Sequence, residues 1–142
     1  MSLCLAGAAR VCLRLTIGFV LLATAAGKLL DVSGFARVLE SYQAFPGWSL
    51  TPLAWAIPSV ELGLALWLFS GRGLRAAAAA SLGMHLAYAA WSAVSLLRGL
   101  KLPNCGCFGV FLARPLTWGT AAEDIAMAAL SAALLLLAGR HR

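Results

Sequence analysis

Two cysteines separated by one residue, Cys105 and Cys107, are the residues of this chain best suited to chemistry; they lie in the segment PNCGCFG, residues 103–109. Thiols this close can form a disulfide, but the small ring should be strained, and strained disulfides are readily reduced. The intervening Gly106 leaves the backbone free to bend and a partner sulfur free to approach. The pattern predicts thiol–disulfide exchange, with Cys105 and Cys107 as the catalytic residues.

Other interpretations of the pair stay open at this point. The disulfide could be a static staple of its loop, or the two thiolates could capture a soft ion such as copper(I) for transport. A closed zinc site needs four ligands, and the remaining cysteines, Cys4 and Cys12, belong to the other membrane face in the topology given below. We therefore expect no metal site there and assign Cys4 and Cys12 no chemistry.

Four polar residues in or beside apolar segments could support the thiols. An unpaired carboxylate at Glu61 would cost several kcal/mol inside a membrane, so we expect it to be protonated or paired. Its candidate partners are His85, Lys28 and Arg98. In the functional interpretation, a cation near the thiols raises their thiolate fraction. In the structural alternative, these polar residues form a clasp, a set of hydrogen bonds that holds two helices together. For His85 the clasp is the favoured interpretation.

The elements that position these residues are membrane spans. The 142 residues are 62% hydrophobic and 11% charged, with a mean hydropathy of +0.89, which is far from the balance of water-soluble domains. A bilayer core needs about 20 apolar residues per helix. Four segments qualify, about residues 11–30, 52–70, 76–97 and 120–138. The sequence predicts an all-α integral membrane protein, a four-transmembrane-helix bundle in one domain over residues 1–142.

Local signals place several helix ends. Thr51 followed by Pro52 is typical of a helix start. Thr120 and Glu123 have the spacing of a capping box, and Asp124 stands in the same first turn, so both acids are interpreted as structural.

Two further patterns need no cofactor to explain them. The spacing of Ser59 and Gly63 permits close helix approach. Four tryptophans near span ends predict an interfacial aromatic belt: Trp48, Trp55, Trp91 and Trp118.

The net charge of +6 comes from basic residues scattered between apolar blocks, which argues against nucleic-acid binding. Arg72 and Arg75 crowd one very short turn and favour cytoplasmic termini, with the loops at 31–50 and 98–119 outside. A cleavable signal peptide is the rival interpretation of the first span, because Arg10 and Arg14 precede an apolar run that contains small residues.

The sequence resembles the MauE branch of the MauE/DoxX-like membrane proteins, named for methylamine utilisation. The resemblance covers nearly the whole chain. Its carriers are AGKL at 26–29, Phe35 and Tyr42 before Pro46, IPSVELG at 57–63, Arg98-Gly99, and CGCFG at 105–109.

The resemblance implies a redox-associated protein of the bacterial inner membrane. In the methylamine system the family is linked to maturation of the disulfide-rich β-subunit of periplasmic methylamine dehydrogenase. We therefore expect a thiol–disulfide oxidoreductase that serves an exported client protein or a periplasmic thioredoxin-like protein. A non-catalytic assembly factor is the alternative. If the pair is an oxidant, a membrane quinone is the candidate electron acceptor, although no residue pattern identifies a pocket for one.

Overall fold

The structure is a computed structural model that describes residues 2–139. This part of the chain contains five α-helices. They are α1 (Ser2–Leu29), α2 (Val32–Ser41), α3 (Gly47–Ser70), α4 (Leu74–Leu97) and α5 (Trp118–Gly139). Four of them, all except α2, are long and apolar enough to cross a bilayer. The predicted all-α, four-span fold is therefore confirmed for the described residues. The side chain of Cys4 and all of Arg140 and Arg142 lie outside that part of the chain.

The helix starts differ from those expected. Helix α3 begins at Gly47, after Pro46 in an extended conformation, so Pro52 lies inside the helix. Helix α5 begins at Trp118, and the reciprocal bonds of its first turn join Thr117 and Thr120: the backbone N–H of each donates to the hydroxyl of the other, over 3.1 and 3.3 Å. The expected pairing of Thr120 with Glu123 is replaced because the cap lies one turn earlier.

Helix α2 occupies part of the segment that the sequence predicted as a loop. Asp31 caps it, with Oδ1 accepting the Gly34 N–H over 2.7 Å. Phe35 and Leu39 lie one turn apart and are both buried, in contact with the start of α3 around Ala54. The helix is amphipathic and too short to span, so a search for long apolar runs passes over it.

The spans pack as two pairs, α1 with α3 and α4 with α5. All four contribute to one apolar cluster, whose buried members are Ile17, Leu21, Leu64, Ala65, Leu68, Ala77, Ala78 and Leu134. Helix α2 and the connection between α4 and α5 cover one end of the bundle, away from this apolar cluster. At that end α1 and α4 end, and α3 and α5 begin.

A buried ion pair joins the first pair of spans. The Lys28 ammonium of α1 donates to both carboxylate oxygens of Glu61 in α3, over 2.7 and 2.9 Å. Lys28 is 3% exposed and Glu61 is fully buried. The Tyr88 hydroxyl of α4 donates to the same carboxylate over 2.5 Å. One carboxylate therefore ties three helices together.

A second polar cluster joins α4 to α5. The Ser81 and Ser131 hydroxyl oxygens lie 3.0 Å apart, and Nδ1 of His85 lies 2.9 Å from the Ser81 carbonyl oxygen. All three residues are buried. In this cluster His85 acts as a clasp between helices.

Two expected surface features differ in the structure. Ser59 and Gly63 are both exposed, with nothing within 4 Å of a Cβ placed at Gly63, so their spacing does not mark a contact within this chain. Trp48, Trp55 and Trp118 are exposed as a belt requires. Trp91 instead packs inside, stacked on Phe45 with ring centroids 5.2 Å apart.

The connection between α4 and α5 docks directly on α1. A Cβ at Gly27 would overlap the carbonyl oxygen of Phe108, and a Cβ at Gly109 would overlap the carbonyl oxygen of Gly27. Backbone meets backbone here, so neither position can accept a side chain without separation of the loop from the helix. Gly109 also has a φ of 71°, a conformation that favours glycine.

Removal of one member of the ion pair should destabilise the bundle. In Lys28→Met the Glu61 carboxylate loses its cation while it stays buried, which costs about 3–5 kcal/mol. Thermal unfolding in detergent should show this loss. In the double variant Lys28→Met, Glu61→Gln no charge is left unpaired, and the amide oxygen still accepts from Tyr88, so most of the stability should return. A Lys28→Met protein as stable as the parent would contradict this account of the pair.

Gly27→Ala should loosen the loop. Its methyl group meets backbone that cannot rotate away, and overpacking of this kind costs about 1–3 kcal/mol. The melting temperature should fall and maleimide should reach Cys107 faster. The matched controls are Gly63→Ala and Gly83→Ala, where a Cβ meets nothing within 4 Å and alanine favours the helix. Equal behaviour of the Gly27 variant and these controls would show that the close approach is dispensable.

Candidate functional site

The two cysteines of the C-x-C segment lie together at the covered end of the bundle. Their Sγ atoms are 2.7 Å apart, and both residues are free thiols, Cys105 buried and Cys107 half-buried. The backbone N–H of Cys107 points at the Cys105 sulfur over 3.5 Å. This arrangement places two reduced sulfurs where a disulfide can form with little movement.

Asn104 and Gly106 give the segment its shape. The Asn104 side chain accepts the Gly106 N–H over 2.9 Å and donates to the Gly109 carbonyl over 3.0 Å. Gly106 has a φ of 77°, and a Cβ there would overlap Val38 of α2. The residue between the thiols is therefore glycine for two reasons, its backbone conformation and the proximity of α2.

A chain of hydrogen bonds fixes the backbone of Cys105. The buried Tyr42 hydroxyl donates to the Cys105 carbonyl over 2.7 Å. Arg98, at the end of α4, donates to the Tyr42 carbonyl over 3.0 Å and to the Gln43 carbonyl over 3.3 Å. Burial raises the pKa of Tyr42, so its hydroxyl remains a donor. Arg98 thus positions the loop through Tyr42.

The surroundings distinguish the two thiols. Three groups lower the pKa of Cys105 to about 6: first the side chain of Cys107, then the backbone N–H of Cys107, then the charge of Arg114. Burial acts in the opposite direction and raises this pKa. The hydrogen bond with Cys105 and burial raise the pKa of Cys107. These opposite pKa shifts favour Cys105 as the thiolate of the reduced pair, with Cys107 as the thiol that donates to it.

A cavity of about 340 Å³ extends from the thiols into the bundle, between the α1/α3 pair and the α4/α5 pair. Its polar lining includes Lys28, Glu61, Tyr88 and Asp124. Phe35, Tyr42 and the 105–108 segment close its outer end. The dithiol therefore faces a space that reaches the buried ion pair.

The structure brings some of the predicted residues together and separates others. Lys28 and Glu61 pair with each other and share the cavity with Cys105 and Cys107. His85 also lines this cavity, but its Nδ1 is held by Ser81 and not by Glu61. Arg98 bonds to carbonyl groups of the α2 end and does not contact Glu61.

Sequence reasoning missed Tyr88 and did not place Asp124 at the cavity. Tyr88 belongs to a polar stripe at helical spacing along α4, Ser81, His85, Tyr88, Ser92 and Ser95, and such a stripe in an apolar helix marks an inward face. The sequence assigned Asp124 a structural role in the first turn of its helix. It is partly buried, lines the cavity and accepts from the Ser92 hydroxyl over 3.3 Å. Its neighbour Glu123 also lines the cavity, is exposed, and pairs with Arg114 over 2.6 Å.

Comparison with known proteins identifies relatives along most of the chain. The model of the family described as methylamine utilisation protein MauE matches residues 5–138. The methylamine utilization protein MauE of Paracoccus denitrificans is 30% identical over 122 residues, which are 86% of this chain and 66% of that protein. The protein of the same name from Methylophilus methylotrophus is 38% identical over 95 residues, 66% of this chain and 49% of that protein.

The chain thus spans about two thirds of one of these relatives and about half of the other. No solved structure matches it. The family match covers the ion pair, the C-x-C segment and all four spans. The chain therefore belongs to the MauE family of methylamine utilisation membrane proteins.

Proposed function

We propose that this chain is a membrane thiol–disulfide oxidant, in which a Cys105–Cys107 disulfide takes two electrons from a pair of thiols in an exported protein. The observation that carries the proposal is the geometry of the thiols, 2.7 Å apart in a loop held from three sides. The family's name indicates a role in methylamine utilisation, and the four spans indicate a membrane protein.

The asymmetry of the pair favours oxidation of the client over reduction. The pKa of Cys105, lowered to about 6 by its hydrogen bonds from Cys107 and by Arg114, stabilises the reduced form. A disulfide whose reduced form is stabilised is the stronger oxidant. The same thiolate is the better leaving group, since a sulfur of lower pKa leaves faster.

The exchange proceeds in two balanced displacements. A client thiolate attacks Cys107, the S–S bond breaks and Cys105 leaves as the thiolate. A second client thiolate then attacks the client sulfur of the mixed disulfide, and Cys107 leaves and takes up a proton. The client gains a disulfide, and the pair holds the two electrons as a dithiol.

The proposed location is a bacterial inner membrane with the C-x-C loop in the periplasm and the termini in the cytoplasm. Arg72 and Arg75 support it, since Arg72 lies in the short turn between α3 and α4 and Arg75 in the first turn of α4, at the end opposite to the loop. The periplasm also tolerates disulfides, which the cytoplasm reduces. The proposed client is a disulfide-rich subunit such as the β-subunit of methylamine dehydrogenase, reached directly or through a thioredoxin-like protein.

The polar contacts favour this function over transport of a soft metal ion. Both oxygens of Glu61 accept from Lys28, and one also accepts from Tyr88. His85 is engaged by serines. Transport would need a path of free ligands from the thiols inward, and the Glu61 and His85 side chains are already engaged in these contacts.

Replacement of either thiol should abolish electron transfer from a dithiol. The oxidised protein should accept two electrons from a reduced dithiol peptide, and maleimide mass labelling should then count two new thiols. Cys105→Ser and Cys107→Ser should each reduce this transfer to background, and the double variant should leave the client unmatured in cells. The matched control is Cys12→Ser, an exposed cysteine near the opposite end of α1.

Normal client maturation in the Cys105→Ser, Cys107→Ser double variant would overturn the proposal. An impermeant maleimide applied to intact cells tests the orientation in parallel. It should label the pair only after prior reduction if the loop is outside and oxidised. Labelling that requires lysis of the cells would reverse the proposed topology.

The pH dependence of alkylation should identify Cys105 as the thiolate. Because its pKa is lowered to about 6, Cys105 in the reduced protein should react at near full rate at pH 7 and lose rate as the pH falls through 6. An ordinary thiol reaches half its rate only near pH 8.5. Mass spectrometry of the modified peptide gives the rate at this residue.

Two arginine variants serve as a matched pair for this measurement. Arg114→Gln removes a charge that lowers the pKa of Cys105, so the midpoint should move to higher pH. Arg37→Gln removes a charge from the exposed face of α2 and should leave the midpoint in place. A midpoint near 8.5 in the parent protein would contradict the assignment of Cys105 as the leaving group.

A further inference from the structure

The cavity behind the dithiol has the size and position of a binding site. Its volume of about 340 Å³ lies at the lower end of the range for small-molecule sites, about 300–1,000 Å³. All four spans contribute to its walls. It also reaches the outside of the bundle, because Ala87 both lines it and is exposed on the lipid-facing side of α4.

The outer part of the cavity suits a flat, conjugated ring. Trp91 stacks on Phe45 with ring planes 23° apart, and its centroid lies 5.4 Å from that of Tyr42. All three rings line the cavity, with Leu21, Ile57 and Met127 among the apolar residues deeper in the bundle. Aromatic rings favour stacked or tilted partners of their own shape.

The polar groups of the lining are few and convergent. A lysine ammonium has three donors, and among the described residues Lys28 donates to Glu61 through two of them. The third is left to donate to an acceptor in the cavity. On the α4/α5 side the lining carries the Asp124 carboxyl with the Ser92 hydroxyl. A ligand with an acceptor oxygen on its ring would meet the Lys28 ammonium as a donor.

We propose that this cavity binds the ring of a lipid-soluble quinone, which reoxidises the Cys105–Cys107 dithiol. The inference rests on the proposed function, since an oxidant that turns over must pass its electrons on. The Cys105 thiolate and the Cys107 thiol lose two electrons and the Cys107 proton as the S–S bond forms. The quinone takes up the two electrons, that proton and a second proton from water as two O–H bonds form, and the hydroquinone leaves through the lipid-facing opening.

The test uses the reduced full-length protein in lipid nanodiscs, with a short-chain ubiquinone analogue as the probe. Absorbance should show one quinone reduced for each pair of thiols lost. Thr24→Phe places a ring in the cavity from α1 and should raise the half-saturating quinone concentration at least tenfold. Ala23→Phe adds the same ring to the exposed side of that helix and should stay within twofold of the parent.

A photoreactive azidoquinone gives a second measurement on the unaltered protein, independent of how Thr24→Phe folds. It should attach to cavity-lining peptides of α1 and α4, in competition with the short-chain quinone. Attachment confined to lipid-facing residues, without competition, would overturn the inference.

Electron transfer from the dithiol peptide, measured on the same sample, separates the two proposals. Transfer from the peptide without quinone reduction would overturn the quinone site and leave the thiol–disulfide function standing. Absence of transfer from the peptide would overturn the function and the quinone site with it.

Discussion

The buried pair of Lys28 and Glu61 is the constraint on which the rest of the bundle depends. A carboxylate in the middle of an apolar helix must find a cation and a hydrogen-bond donor in the interior. Here the cation comes from α1 and the donor, Tyr88, from α4. That requirement fixes the rotation of three helices about their axes. Ordinary polar contacts between membrane helices contribute roughly 0.6 kcal/mol, whereas loss of one buried charge costs several times more.

Lys28 also connects the ion pair inside the bundle to the C-x-C loop. Lys28 follows Gly27, whose missing side chain lets the loop backbone rest on α1. The Lys28 ammonium also lies 5.7 Å from the Phe35 ring centroid of α2, and α2 in turn supports Gly106. Two motifs far apart in sequence, AGKL at 26–29 and CGCFG at 105–109, are therefore two halves of one contact. Because the contact is made by backbone, side-chain repacking cannot restore it.

The sequence predicted the spans because length and hydrophobicity alone decide which segments can cross a bilayer. It also singled out Cys105 and Cys107 as the candidate reactive pair, since one glycine separates the two thiols; their reactivity stays a prediction. It could not choose among three partners for Glu61, because the choice depends on helix rotation, and apolar residues on every side of α3 give little indication of which face points inward. Helix α2 was missed because it has only ten residues and is amphipathic, as helices of water-soluble proteins are. Asp124 was expected in the first turn of its helix, but the cap lies one turn earlier, at Thr117, so Asp124 stands in the second turn and lines the cavity.

The position of the thiols suits the two partners that the proposed oxidant would have to serve. A protein client approaches from water, whereas a quinone stays within the bilayer. Only a residue at the boundary can exchange electrons with both. The C-x-C loop lies there, above a cavity bounded by the ion pair and Asp124. Its glycine keeps the two sulfurs in one tight turn, so under this proposal the disulfide could be attacked by the client and restored by the quinone without a large movement of the helices. A longer spacing would need a hinge, and the backbone contacts at Gly27 and Gly106 leave little room for one.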